Sequence, residues 1–334
     1  MIAPTLTIGI PTYNRSQLLA ECLRQLGPTL QSLNDQVELL ISDNASTDDT
    51  QQIVEKFIRE YRQSVRVTSI RQLNNLGAVP NIFELILAAK TEYFLFIGDD
   101  DGLDSHGLEC LIQRLNYSTP SHFIEGTWPW RDSQSEIRIK GADLGTWGYE
   151  IGLAWGSVYH VPSCRKILEN PTLREALGSG IWGQIGVALI GVNLSGIGAT
   201  VLPFSWGKVL LERPYYYGYE NLLLSLRDLI RTHLEGARAT GNMKLVLDFV
   251  TFKNHGFKSH ILGLMVQAAH ASKMRRGSVH WSEISDDLDS IKLWNFKILL
   301  WAVRTICESP LRYFLRYLVG AVRQLRKIRV GRMK

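Results

Sequence analysis

The chain is organised around one stretch, Tyr93-Phe94-Leu95-Phe96-Ile97-Gly98-Asp99-Asp100-Asp101, in which five bulky uncharged residues lead into three consecutive carboxylates. A short apolar run without charge is typical of a strand that is buried on both faces. Such strands occur in parallel sheets, which helices cover on both sides. The stretch therefore predicts a central parallel strand with acidic residues at its carboxyl end.

The residues before this strand alternate between strand and helix patterns. The predicted strands are Leu6–Ile10, Val37–Ser42, Val65–Ile70 and 93–97. The predicted helices are Ser16–Leu26, a helix that carries Ile53 to Tyr61, and Val79–Ala89. Ser46 and Asp49 have the spacing of a capping box before the second helix. The alternation predicts the α/β class, with a mostly parallel sheet flanked by helices.

The three adjacent acids repel one another, and a bound cation would offset that cost. Mg²⁺ or Mn²⁺ suits the position, because these ions bind one or two carboxylates together with the phosphates of a substrate. Ligands of open parallel sheets bind at the carboxyl ends of the strands. A surface turn or a helix start is the alternative, since Asp is common in both.

Two other strand ends carry polar residues. Asp43 follows the second strand, where an acid can accept hydrogen bonds from a base or a ribose; an Asx-turn is the alternative. The first strand leads into a turn with Tyr13, a ring that can stack on a base, and Arg15, a cation for phosphate. The sequence has no G-x-G-x-x-G or Walker loop, which disfavours ordinary dinucleotide and P-loop proteins.

Four segments at these strand ends together resemble the ordered signature of family 2 glycosyltransferases with a GT-A fold. They are 10–15 (Ile-Pro-Thr-Tyr-Asn-Arg), 42–50 (Ser-Asp-Asn-Ala-Ser-Thr-Asp-Asp-Thr), 75–77 (Asn-Leu-Gly) and 96–101 (Phe-Ile-Gly-Asp-Asp-Asp). The resemblance covers residues 5 to 116. The chain length, the Gly-Asp-Asp-Asp motif and the basic C-terminus are most similar to bacterial O-antigen sugar transferases of the abequosyltransferase type.

The resemblance implies transfer of a hexose or deoxyhexose from a nucleotide-sugar to a glycan acceptor, lipid-linked, in O-antigen or other cell-surface polysaccharide synthesis. The nucleotide-sugar-binding residues that it implies are Pro11, Tyr13, Arg15, Asp43, Asn75, Gly77 and Asp99. The first three would border the nucleotide, Asp43 would contact the base, and Asn75 and Gly77 would line the ribose side.

The resemblance also implies a metal, Mg²⁺ or Mn²⁺, that stabilises the departing diphosphate. Many family members have Asp-x-Asp, and Gly98 stands at the place of the first Asp here. Asp100 then occupies the place of the usual metal ligand, with Asp99 or Asp101 as a second ligand. We expect Asp100 and Asp101 to hold the metal.

Inverting members of the family use a carboxylate from the second half of the domain as the base, often in a Glu-Asp pair. This sequence has no Glu-Asp pair, so the base stays unassigned. The candidates, each of which also fits a solvated surface acid, are Asp143, Glu150, Glu175 and Glu220. His160 fits a core histidine better than a catalytic group.

Gly178 to Gln184 is where family members shape the acceptor pocket. Trp182 would stack on a sugar ring and Gln184 would bond its hydroxyls, with core packing as the alternative. The same region begins an uncharged stretch, Ile181 to Gly207, that is long enough to span a membrane. Its glycines and polar residues favour a buried helix followed by a strand.

Charge divides the chain into two parts. The formal net charge is +5, but residues 291–334 hold eleven basic residues and one acidic residue, which leaves residues 1–290 acidic. Within this tail, apolar residues from Leu311 to Leu325 recur at helical spacing beside a stripe of arginines. Such a basic amphipathic helix favours an anionic membrane surface, with packing on the catalytic domain or a second subunit as the alternative.

We expect a GT-A domain at 1–215, divided into a nucleotide-binding half at 1–120 and an acceptor half at 121–215, and a helical C-terminal region at 216–334. The four scattered cysteines and the absence of a signal-peptide pattern favour a cytoplasmic protein, held at the inner face of the plasma membrane by its tail. We expect no nucleic-acid partner. Two alternative hypotheses are a nucleotidyl- or phosphotransferase, and a binding protein whose tail grips nucleic acid.

Overall fold

An eight-stranded sheet forms the centre of the fold. The structure, a computed structural model, describes residues 4–128, 131–132, 134–140, 143–144, 147, 150–152, 156–209 and 219–245. In chain order the strands are β1 (Leu6–Thr12), β2 (Val37–Asp43), β3 (Arg66–Arg71), β4 (Tyr93–Phe96), β5 (Asp101–Leu103), β6 (His122–Glu125), β7 (Thr127–Trp128), β8 (Arg131–Asp132), β9 (Ile137–Ile139), β10 (Ser157–His160), β11 (Ala199–Leu202) and β12 (Gly207–Val209).

The strand order decides which loops meet. The sheet runs β3-β2-β1-β4-β10-β6-β11-β9, and its first four strands are parallel. Because β10 is antiparallel to both β4 and β6, strand β6 again points the same way as β4, and β11 is parallel to β6. The carboxyl ends of β1, β2, β4, β6 and β11 therefore lie along one edge of the sheet.

Helices cover both faces of this sheet. They are α1 (Ser16–Leu33), α2 (Thr50–Tyr61), α3 (Ala78–Ala88), α4 (Ser105–Asn116), α5 (Val161–Leu168), α6 (Pro171–Gly178), α7 (Gly183–Ser195) and α8 (Tyr219–Thr240). All four residues of β4 are buried: Phe94 and Phe96 face one core layer, and Tyr93 and Leu95 face the other. The prediction of a central strand buried on both faces is confirmed.

The uncharged stretch that starts at Ile181 forms α7 and β11, as predicted. Helix α7 is buried from Gly183 to Val192 and ends at Gly196, whose φ of 69° is in the left-handed region that favours glycine. Among the described residues, none of the helices combines the length and the apolarity that crossing a membrane requires.

The structure corrects one local prediction. Helix α2 begins at Thr50, so the capping box of Ser46 and Asp49 is wrong: Thr50 donates instead to Asp48 Oδ1, and Asp49 makes no capping bond with its side chain. Strand β12, Gly207–Val209, is followed by residues 210–218, which lie outside the described residues. The basic tail, 291–334, lies outside them as well, and the domain boundaries stay predictions.

Candidate functional site

The predicted acidic loop lies at the carboxyl edge of the sheet, directly beyond β4. Asp99 is buried, and Thr12 at the end of β1 donates a hydrogen bond of 2.8 Å to Asp99 Oδ2. Thr12 also lies opposite Asp43 in the pairing of β1 with β2. The fold thus brings together two acids that are 56 positions apart in the sequence, with one threonine between them.

Arg15 is the cation of this cluster. Its Nη1 atom lies 2.8 Å from Asp99 Oδ1, and its Nη2 atom pairs with Asp100 Oδ2. Asp99 Oδ1 makes no hydrogen bond, so its contact with Arg15 is an ion pair without hydrogen-bond geometry. One guanidinium offsets part of the repulsion among the three carboxylates, so the acids do not depend on a metal alone for their charge balance.

Burial shifts the titration of these acids. Desolvation raises the pKa of Asp99 above its ordinary value, against the lowering effects of the Thr12 hydroxyl and the Arg15 guanidinium. Desolvation also raises the pKa of Asp101 to about 6, although the backbone N–H of Gly98 donates to it. Ionisation of Asp99 and Asp101 is therefore unfavourable in this loop, even with the Arg15 guanidinium beside them.

Gly98 makes room for two carboxylate oxygens. A Cβ atom at this position would lie 2.8 Å from Asp100 Oδ1 and 2.8 Å from Asp101 Oδ2, so an aspartate here would require both carboxylates to shift. Among the described residues, no group of three or more His, Cys, Asp or Glu side chains is arranged to hold a metal by itself. Two converging carboxylates fit a site that a substrate's phosphates would complete, which is the usual way of binding Mg²⁺.

Asp43 uses its two oxygens differently. The backbone N–H of Ser46 donates to Oδ1 at 2.9 Å, which is the Asx-type turn considered above. Oδ2 is buried without a hydrogen bond, and Arg71 Nε is 3.7 Å away. A buried acceptor without a donor is unfavourable, so a ligand N–H at this place would stabilise it.

The turn after β1 borders the same space. Tyr13 is 41% exposed, as a ring that is free to stack on a ligand would be. Asn14 adopts a left-handed φ of 51°. It accepts a hydrogen bond of 2.8 Å from the Thr47 N–H, which ties this turn to the loop after β2. Pro11 lies within β1, opposite Ser42 of β2.

The predicted residues Asn75 and Gly77 belong to a loop that Asn44 holds. Asn44 Nδ2 donates to Asn75 Oδ1 at 2.9 Å and to the Gly77 carbonyl at 3.1 Å, and Asn44 Oδ1 accepts from the Leu76 N–H at 2.9 Å. Gly77 has a φ of 90°, which a residue with a Cβ adopts only at a cost. Sequence reasoning missed the organising role of Asn44, and its position directly after Asp43 was the available signal.

The predicted acceptor segment lies beside this loop. A Cβ on Gly183 would be 2.8 Å from Val79 Cγ1 in the first turn of α3, so α7 begins directly against the helix that follows Gly77. Trp182 is partly buried and packs on the core, and Gln184 is buried with Oε1 lacking a hydrogen bond.

The structure adds one acid that sequence reasoning missed, and it describes the side chains of two of the four predicted base candidates. Asp143 and Glu175 are exposed, and the side chains of Glu150 and Glu220 lie outside the described residues. His160 is buried, with Nδ1 3.1 Å from Ser163 Oγ, as the core interpretation predicts. Glu125 is the missed acid: it ends β6 at the same sheet edge as Asp99, and its exposure is 0%.

The overall architecture defines a class of protein. A crystal structure of S. aureus TarS 1-349 in complex with UDP matches with a TM-score of 0.55 at 16% identity, over 95% of this chain and 87% of that chain. The mannosyltransferase PcManGT from Pyrobaculum calidifontis, in complex with GDP-Man and Mn²⁺, matches with a TM-score of 0.53 at 15% identity, over 95% of this chain and 87% of that chain. The fold is the GT-A fold of glycosyltransferases.

Sequence similarity in the first half of the chain gives a narrower classification than the fold does. Residues 7–142 match the family model described as "Glycosyl transferase family 2", so this segment is similar to the glycosyltransferases of that family. The abequosyltransferase RfbV of Salmonella typhimurium is 33% identical over 107 residues, which cover 32% of this chain and 31% of RfbV. The GalNAc(5)-diNAcBac-PP-undecaprenol beta-1,3-glucosyltransferase of Campylobacter jejuni is 30% identical over 114 residues, which cover 34% of this chain and 35% of the relative. The similarity thus spans about a third of these relatives.

Proposed function

We propose that this chain transfers a hexose or deoxyhexose from a nucleotide-sugar donor to a lipid-linked glycan acceptor in the synthesis of O-antigen or another cell-surface polysaccharide. The observation that carries the proposal is the meeting of two polar groups at one sheet edge. The unsatisfied Oδ2 of Asp43 lies at one end, the Asp99–Asp101 loop at the other, and Thr12 lies between them. The relatives that match include transferases named for abequose and for an undecaprenol-linked glycan.

The donor would lie along this edge. Asp43 Oδ2 would accept a hydrogen bond from the base, Tyr13 would stack on it, and Pro11 would border it. The loop of Asn75 and Gly77 would lie along the ribose. The diphosphate would then reach Arg15, which binds Asp99 in the described structure and would exchange part of that contact for phosphate oxygens; Asp99 would keep Arg15 in place.

The diphosphate end is also the place for Mg²⁺ or Mn²⁺. Asp100 and Asp101 would hold the ion, because their oxygens converge beside Gly98 and the diphosphate would supply further oxygens. When bound, the ion would neutralise charge on the departing diphosphate. The protein's own contribution is orientation. Thr12 and Arg15 would fix the acidic loop, and the ends of β1 and β4 would fix the distance between this loop and the site of the nucleotide's base.

The acceptor would enter beside α7. Trp182 would offer a ring face to a sugar, and Gln184 Oε1, which is buried without a hydrogen bond, would accept from an acceptor hydroxyl. This segment adjoins the loop of Asn75 and Gly77, so donor and acceptor would share one crevice. The base that would deprotonate the acceptor stays unassigned.

A thermal-shift screen tests donor binding. We expect one of the diphosphates of uridine, guanosine, cytidine or thymidine to raise Tm in the presence of Mn²⁺. A ligand at about 100 times its Kd stabilises the folded state by about 2.7 kcal/mol. The shift should shrink when Mn²⁺ is omitted and in the variant Asp43→Ala. If no nucleoside diphosphate changes Tm with or without Mn²⁺, the proposed function is wrong.

We further propose that the protein binds an anionic membrane surface through residues 291–334, at the cytoplasmic face where lipid-linked acceptors would be available. The support is the sequence pattern: eleven basic residues beside an apolar helical stripe. Each basic residue near an anionic surface contributes about 1 kcal/mol.

Replacing Arg312, Arg316 and Arg323 with Gln in the full chain should abolish binding to anionic lipid vesicles. We expect sedimentation of the wild type with vesicles that contain phosphatidylglycerol, and not with purely zwitterionic vesicles. The variant Arg24→Gln, Arg59→Gln, Arg138→Gln, which removes three exposed cations elsewhere, is the matched control and should sediment like the wild type. Binding of nucleic acid without binding of vesicles would contradict this proposal.

A further inference from the structure

A buried acid without an assigned role lies at the end of β6. Glu125 is fully buried and points into the core layer that contains Phe123 and Trp206. Burial raises its pKa to about 7, although three neighbours donate hydrogen bonds to it. An apolar side chain would fill this space without the cost of burying a carboxylate, so its contacts require an explanation.

The contacts of Glu125 converge on one short segment, Ser205 to Gly207. Oε1 accepts from the Ser205 hydroxyl, from the Trp206 N–H at 2.9 Å and from the Gly207 N–H at 3.3 Å. Oε2 is buried and makes no hydrogen bond. One oxygen atom therefore gathers the donors of three consecutive residues and fixes the course of the chain there.

The segment Ser205 to Gly207 connects to the acidic loop through a pair of short strands. Gly207 begins β12, which pairs with β5, and in that register Val209 lies opposite Asp101. A ribbon of two three-residue strands is not stable by itself. It is anchored by the Asp104 N–H, which donates to the Trp206 carbonyl at 2.8 Å, and by close packing: a Cβ on Gly107 would lie 1.9 Å from the Ser205 carbonyl oxygen.

We propose that Glu125 is a positioning residue for the acidic loop, because its carboxylate fixes Ser205 to Gly207 and, through the pairing of β12 with β5, holds Asp101 in place. This rests on the proposed function, in which Asp101 helps to bind the metal and the diphosphate. Glu125 itself does not touch the reactants. It sets where the loop lies, in the way that buried hydrogen bonds behind a site orient the groups that bind.

Hydrogen exchange of the full chain without ligand tests the anchoring. In Glu125→Ala we expect the amides of residues 102–103 and 207–208 to exchange at least about tenfold faster. Glu125→Gln keeps an acceptor oxygen and should exchange no faster than the wild type. Ile124→Ala, a core truncation next to Glu125 but in the opposite core layer, is the matched control and should leave these amides protected. Equal acceleration in the Ile124→Ala and Glu125→Ala variants, or none in the latter, would overturn the proposal.

Two further measurements keep the outcome decisive. If Glu125→Ala does not fold, Ser205→Ala removes one donor to the same oxygen and should accelerate exchange in the same four residues; no change there overturns the proposal. In binding assays, Glu125→Ala should weaken binding of the best nucleoside diphosphate with Mn²⁺ at least about tenfold, and leave the corresponding monophosphate without Mn²⁺ unchanged. A uniform loss for both ligands would mean a merely structural role. If the wild type binds neither ligand, the proposed function fails while the exchange result still decides the anchoring.

Discussion

Replacing Asp100 with Asn should lower the transfer rate by at least about 10²- to 10³-fold while the protein stays folded. Losing one well-placed electrostatic group at a site where charge develops has effects of this size. The amide keeps the shape of the carboxylate but removes the charge that would bind the metal beside Asp101. Arg15 would keep its ion pair with Asp99, so the loop should retain its position.

Measurements on Asp100→Asn need a donor that the thermal screen identifies and an assay of the released nucleotide. Asp35→Asn, which removes an equal charge from a half-exposed ion pair with Arg66 at the other end of β2, should have wild-type activity. Turnover of Asp100→Asn close to the wild-type rate would refute the metal-binding role. Release of pyrophosphate in place of a nucleoside diphosphate would favour the nucleotidyltransferase alternative.

Glu125→Gln should make the protein more stable than the wild type above pH 7, by about 3 kcal/mol. The raised pKa of about 7, against an ordinary value of 4.5, means that the folded state holds a proton that the unfolded chain has lost between these two pH values. Stability from this group is therefore complete below pH 4.5 and is lost as the pH rises to 7. Each unit of pKa shift corresponds to about 1.36 kcal/mol, and the amide avoids this penalty.

The measurement is urea unfolding of wild type and Glu125→Gln at pH 5 and pH 8. The two free energies of unfolding should differ by less than about 1 kcal/mol at pH 5 and by about 3 kcal/mol at pH 8. The buried His122 and His233, whose pKa values burial lowers to about 3 and about 4, destabilise the fold in acid, but they cancel in the difference between the two proteins. Glu109→Gln, the same change at an exposed position of α4, should follow the wild type at both pH values. A difference that does not depend on pH would contradict the prediction.

Most of the nucleotide half of the fold could be predicted because its signals are local. The apolar run 93–97 has to be buried whatever its neighbours are, and β4 is buried at all four positions. The helical spacing of apolar residues likewise predicted α2 and α3 within a few residues of their ends and the start of α1, which continues beyond the predicted end at Leu26 to Leu33. The capping box failed because Ser46 is drawn into the turn that Asp43 closes, and that is a contact with the preceding strand.

The sequence by itself determined that acids follow buried strands, because hydrophobic periodicity and strand order are local properties of the chain. Only the tertiary structure decided how those acids are used. Arg15 meets Asp99 and Asp100 across some 85 positions, and Glu125 meets Ser205 across 80, since the sheet places distant strand ends on one edge. Desolvation at that edge raises the pKa values of the buried carboxylates, and hydrogen-bond donors from distant parts of the chain lower them. Both effects depend on burial, and burial depends on the whole fold.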